Sequence, residues 1–204
     1  MIQARAISVY RADREIIRGF SVAIEPGKIL ALIGANGSGK STLVAALAGD
    51  LALASGTISV DEVALDSYSI RDLAKVRAVS AQHQKFPLAF TVAELLEISH
   101  RFSGDEASAS EAIIALDIER LLARKVTSLS GGEQQRVGIA MALAQNTRYL
   151  FLDEPFAAQD TQSTARIVEH LQTLAKRGIA VVIVAHMAKS ELAWCDEIVR
   201  IKAL

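Results

Sequence analysis

Three short apolar runs punctuate the chain: Ile29 to Ile33, Tyr149 to Leu152 and Ile179 to Ala185. Runs of this length are expected to be strands buried on both faces. Loose alternation over residues 2 to 9, and clearer alternation from Phe20 to Ile24, instead predicts antiparallel strands half exposed to solvent. Thr57 to Val60 reads as a further strand, and Glu25, Pro26, Gly27, Lys28 as a turn. Helical spacing is found from Thr42 to Ala48, ended by Gly49, and over Ile70 to Lys75, Val92 to Ser99, Glu106 to Leu116 and Ile118 to Arg124. It returns from Gly132 to Ala144, with Val137, Ala140, Met141 and Ala144 on one face, and from about Gln162 to Lys176. Strands alternating with helices predict an α/β fold with a mainly parallel sheet, crossovers and an antiparallel β part. Residues 85 to 135 read as a helical lobe inserted in that core, within one domain spanning 1–204.

Composition narrows the class. The chain has 204 residues, 51% of them hydrophobic, with 22 basic against 23 acidic side chains and a net charge of −1. It is long enough for a sizeable core, and it has no basic excess to suggest a nucleic-acid surface. No uncharged apolar stretch approaches the ~20 residues that cross a bilayer. The start, Met1 to Arg5, carries no signal-peptide block, so any work at a membrane is expected from the aqueous side. The lone Cys195 excludes an internal disulfide and fits a reducing compartment; beside Trp194 it reads as a small packed hydrophobe.

Chemistry enters right after the first buried strand. Gly34, Ala35, Asn36, Gly37, Ser38, Gly39, Lys40, Ser41 fills the pattern G-x-x-x-x-G-K-[ST], and Thr42 opens a helix. Glycines let the backbone curl until successive N–H groups face one anion, and the helix adds the positive end of its dipole. Lys40 can reach outer phosphates as a point charge, and the Ser41 hydroxyl can join the shell of a magnesium ion (Mg2+) between them. Kinases, GTPases, helicases and transport ATPases share this loop, so it does not choose among them.

The strand at Tyr149 to Leu152 delivers Asp153 and Glu154 at its C-terminal end, where open α/β sheets place their ligands. Period-2 geometry is expected to point the two carboxylates apart, Asp153 to magnesium and Glu154 to the attacking water. The run Leu129, Ser130, Gly131, Gly132, Glu133, Gln134, Gln135, Arg136 is a second helix start, with a Ser cap and a polar first turn. Two phosphate sites in one chain make sense when two chains pair head to tail, each lending its second site to the other's nucleotide.

On these residues the sequence resembles the ATP-binding cassette (ABC) ATPases. The phosphate loop Gly34 to Ser41, the signature Leu129 to Arg136, Asp153 with Glu154, and His186 follow the family's order over nearly the whole chain. The resemblance implies a P-loop NTPase core and two cassettes closing around two ATP. It makes Ser130, Gly131 and Gly132 a phosphate contact in trans and Tyr10 the aromatic under adenine. Gln82 corresponds to the glutamine that senses magnesium and attacking water, preferred to its neighbour Gln84 because Arg77, Ala78, Val79 fits the approach. His186 corresponds to the switch histidine, although a lone His ending an apolar strand is more often a packed one. Asp160 keeps its place in the crossing loop Phe156 to Asp160, whereas Gln159 stands where the family usually has Leu.

The resemblance further implies an ATPase subunit, pairing with a second copy of itself, docked on separate integral membrane subunits at the cytoplasmic face of the inner membrane. A solute-binding protein joins such systems. Ala140 to Gln145, Asn146, Thr147, together with Arg77 to Gln82 and Phe90 to Val92, resembles the importers of iron chelates, haem and cobalamin, while Phe156 is common in other importer ATPases. Only Met187 to Leu204 follow the histidine, so no C-terminal regulatory domain is expected. A soluble relative acting on nucleic acid or ribosomes would carry tandem cassettes, long insertions or basic surfaces. A kinase or GTPase would leave Leu129 to Arg136 unexplained.

Overall fold

The computed structural model describes residues 1–82, 86, 89–101 and 106–204. Its strands in chain order are β1 (Ile2–Arg11), β2 (Arg14–Ile24), β3 (Ile29–Ile33), β4 (Ser55–Val60), β5 (Val63–Ala64), β6 (Arg77–Ser80), β7 (Tyr149–Asp153), β8 (Ala180–Val184) and β9 (Glu197–Arg200). The helices are α1 (Lys40–Leu47), α2 (Ile70–Val76), α3 (Val92–His100), α4 (Glu106–Ala115), α5 (Gly131–Ala144) and α6 (Thr161–Lys176). Among the described residues they build two sheets: an antiparallel one in the order β2-β1-β4-β5, and a parallel one in the order β6-β7-β8-β3-β9.

Every residue of β3, β7 and β8 is buried. Alternation then sends their side chains into two different cores. Ile29, Ala31, Ile33, Leu150, Leu152, Val181 and Ile183 pack with α5, α6 and the segment around α3 and α4. Leu30, Leu32, Tyr149, Phe151, Val182 and Val184 face α1 and the antiparallel sheet. Each large side chain removed from water in this way contributes on the order of 1.5–3 kcal/mol.

Register decides where the chemistry falls. β8 lies between β7 and β3, with Val184 level with Asp153 on one side and Leu32 on the other. On the far side of β7, Ser80 of β6 is level with Leu152. The residues that follow each strand therefore leave the sheet at one edge: Gly34 after β3, Glu154 after β7, His186 just beyond β8 and Gln82 just beyond β6.

Three expectations are corrected. Ile118 to Arg124 is not a helix; only a single tight turn, Glu119–Leu121, forms, with Ile118 and Leu121 buried. α5 is not buried along one face: after Arg136 all residues but Met141 are buried, because the helix lies between the parallel sheet and α3 and α4. β6 and β9 join the parallel sheet where no strand is predicted. Cys195 packs against the core, and burial pushes its thiol up to about 12, as expected of a packed hydrophobe.

Candidate functional site

The loop after β3 is shaped by what crowds it. A Cβ on Gly34 would lie 2.5 Å from the Ile201 carbonyl and 2.7 Å from the Ser38 hydroxyl, so only glycine lets the chain turn there. Gly39 has φ 94° and a Cβ on it would meet Ile16 at 2.7 Å. It is the N-cap residue of α1, and no side chain caps that end. The first N–H groups of α1 thus stay open, in line with the positive end of the helix dipole. Lys40 is buried and folds back, its Nζ donating to the Gly34 and Ala35 carbonyls at 3.1 and 3.0 Å. The Ser38 hydroxyl is buried with no partner.

Around this loop opens a cleft of about 610 Å³, lined by Ile16, Asn36, Gly37, Gly39, Lys40, Ser41, Thr42, Gln82, Glu154 and His186. Side chains from separate parts of the chain thus converge as the strand register requires. Asp153 sits beneath, also buried, with its Oδ1 unpartnered. Burial pushes its carboxyl above the usual range, while the neighbouring Ser41 hydroxyl and Lys40 oppose the shift. A charge kept in such a place needs cations or donors beside it, and Ser41 and Lys40 supply part of that need.

Glu154 does not continue the strand. Its φ is 55°, so the alternation expected of Asp153 and Glu154 ends one residue early, and a left-handed turn instead aims the Glu154 side chain. His186 Nε2 lies 2.7 Å from Glu154 Oε1; toward an ionised carboxylate the ring nitrogen is the donor. An acceptor carboxylate, a histidine and a buried lysine now face one cavity fringed by backbone N–H groups. That set can bind a polyphosphate and take a proton from water beside it.

The other residues singled out in the sequence lie elsewhere. Tyr10 is exposed at the end of β1, level with Glu15 of β2, and Ile16 lines the cleft beside it. Ile16 carried no sequence signal beyond its place next to the charged turn. Ser130 caps α5, accepting from Glu133 N–H at 3.3 Å, while Glu133 accepts from the Ser130 N–H and hydroxyl at 2.9 Å each. Gly131 and Gly132 open that helix; Ser130 and Gly131 are exposed. Asp160 caps α6 through Ser163 N–H at 2.8 Å. The Gln159 amide donates to the Gly132 carbonyl at 3.4 Å. Gln84 lies outside the described residues.

Comparison with known proteins agrees with this geometry. The family model described as ABC transporter matches residues 17–157. The hemin import ATP-binding protein HmuV of Rhodococcus jostii is 35% identical over 205 residues, covering 97% of this chain and 70% of that protein. The protein of the same name from Hydrogenovibrio crunogenus is 36% identical over 216 residues, covering 99% and 84%. The dimeric structure of a bacterial ABC transporter cassette superposes with a TM-score of 0.85 at 26% identity, covering 99% of this chain and 94% of that one. An ATP binding subunit of an ABC transporter, at 21% identity and a TM-score of 0.90 over 99% and 86%, shares the fold. With its phosphate loop, strand-end carboxylates and signature run in one chain, the protein belongs to the ABC transporter ATPase family.

Proposed function

We propose that this chain is the ATP-hydrolysing subunit of an importer for haem or a similar metal chelate, working as a homodimer beneath separate integral membrane subunits. Among the described residues no helix is long and apolar enough to cross a membrane; in this reading separate membrane subunits form the passage for the cargo. A place at the cytoplasmic face of the inner membrane and a solute-binding protein outside complete the reading. The similar import ATP-binding proteins support the cargo class. Residues 85 to 135 serve as the inserted helical lobe of a single cassette, the part of the chain offered to the membrane subunits.

The observation that carries the reading is the meeting of Lys40, Glu154 and His186 at one strand edge, with Ser130 to Gly132 set apart on α5. The loop N–H groups and Lys40 take the outer phosphates of ATP; Lys40 exchanges its two carbonyl acceptors for phosphate oxygens. Tyr10 and Ile16 flank the adenine end. Glu154 orients water and holds its proton, and His186 trades Glu154 for the terminal phosphate. Ser130, Gly131 and Gly132 face the partner's nucleotide, and Asp160 holds the crossing loop. Dimer closure is favoured by ATP and lost with ADP, which moves the attached membrane subunits.

The residues fit magnesium. Ser41, Asp153 and Gln82 offer oxygen donors, and the buried Asp153 Oδ1, with no hydrogen-bond partner, suits a hard cation. Among the described residues no three His, Cys, Asp or Glu side chains cluster, and in this reading phosphate oxygens and water would supply the remaining donors. When bound, the ion neutralises charge on the outer phosphates. Glu154→Gln is expected to keep ATP binding, lower turnover at least ~100-fold and trap a dimer on gel filtration. Hydrolysis at the normal rate would remove Glu154 from this role. Stimulation of the reconstituted complex by hemin or another metal chelate on the binding-protein side tests the cargo, and indifference to all of them would reject the class.

A further inference from the structure

The peptide of Glu154 is pinned from both sides. Its N–H donates to the Val184 carbonyl at 3.1 Å, and its own carbonyl accepts from the Ala157 N–H at 3.2 Å, closing the turn, and from Gln135 Nε2 at 2.5 Å, the tie to another element. Among these bonds the residue is held at φ 55°, a left-handed conformation that non-glycine residues rarely adopt. The left-handed turn is what sends the carboxylate toward His186, so the bond from Gln135 bears on the direction of the side chain.

Gln135 belongs to α5, and the rest of that helix's start holds the same segment. Arg136 Nη1 donates to Gln159 Oε1 at 3.3 Å, and Gln159 Nε2 returns a bond to the Gly132 carbonyl. A Cβ on Gly132 would come within 3.1 Å of the Ala158 carbonyl. The segment from Glu154 to Asp160 is therefore seated on the first turns of α5.

We propose that Gln135 is a positioning residue for hydrolysis. Its amide transmits the placement of α5 to the Glu154 carboxylate of the same chain. The proposal rests on the head-to-tail reading above, in which the N-terminus of α5 meets the nucleotide held by the partner. Under it, closure on one nucleotide sets the angle of the carboxylate that serves the other, and Gln159, in the place of the usual Leu, adds a second tie.

The test replaces Gln135 by Met, which keeps the stem, and by Glu, which keeps the shape but offers no N–H at neutral pH. Turnover is expected to fall about tenfold or more in both, as small misplacements of a reacting group cost 10–100-fold, with ATP affinity of the isolated chain within about twofold. Because Gln135 acts through Glu154, adding Gln135→Met to Glu154→Gln should cause no further loss. Unchanged turnover in both single variants, loss of ATP binding, or additive losses in the double variant would each overturn the proposal. Full hydrolysis by Glu154→Gln alone would instead overturn the role given to Glu154, whatever Gln135 does.

Discussion

α1 and α5 both begin on a glycine-rich turn and both present N–H groups to an anion, yet the two ends are finished in opposite ways. α1 starts from Gly39 with no side-chain cap, a buried lysine and a buried serine hydroxyl lacking a partner. α5 starts from Ser130 with a complete capping box, in which Glu133 already takes both the N–H and the hydroxyl of Ser130. Arg124 lies beside that carboxylate at 3.4 Å. One helix end leaves its donors for a guest, and the other supplies its own anion. A phosphate site can thus be recognised in the isolated chain at α1, whereas α5 becomes one only when something displaces or joins Glu133.

The largest effect should come from emptying the open end of its charge. Lys40→Ala removes the cation and the side-chain donor shared by the Gly34 and Ala35 carbonyls. ATP affinity, measured by calorimetry on the isolated chain, is expected to fall at least ~100-fold, about 2.7 kcal/mol. Undiminished binding would mean that α1 is no more a nucleotide site than α5. Ser130→Arg makes the converse test. Binding to the isolated chain should stay within about twofold, while turnover falls ~tenfold or more because the defect is felt across the dimer. Thermal melting should also register the lost cap, about 1 kcal/mol. Turnover equal to that of the unmodified protein would break the shared-site dimer.

The contrast also explains what could be read from the sequence. β3, β7 and β8 were legible because strands covered on both faces are continuous apolar runs. β6 was not: its four residues alternate in burial, and Arg77 reads as a surface residue although its Nε donates to the Ala48 carbonyl behind α1 at 2.7 Å. β9 is an edge strand between charged ends, Glu197 and Arg200, and its place beside β3 depends on Asp196 accepting from Ile29 N–H at 2.9 Å. The apolar residues of Ile118 to Arg124 imitate a helix, but Asp117 at φ 50° breaks the chain just before them. At the site, the loop and the carboxylate pair were legible because their chemistry is written in contiguous residues. The bond from Gln135 to Glu154 joins positions on separate elements and needs a left-handed turn that residue type does not announce. The capping box was likewise half visible, as a Ser cap, with Glu133 unassigned.

Glu133 gives the smallest effect and the finest test of the contrast. Its carboxyl is held below the usual range by the Ser130 N–H, then by the Ser130 hydroxyl, with Arg124 adding to them. A carboxylate depressed in the folded state adds stability that is present above its ordinary value and lost as pH falls through the depressed one. Glu133→Gln should therefore melt slightly lower at neutral pH and lose that part of its acid sensitivity. If Glu133 stands in for a phosphate at α5, the neutral amide also competes less for the Ser130 donors and repels an incoming phosphate less. ATP-driven dimerisation, measured by sedimentation in the Glu154→Gln background, should then tighten about threefold, worth about 0.7 kcal/mol. Weaker dimerisation would show that Glu133 holds the partner's nucleotide itself, and that the closed end of α5 is already part of the binding surface.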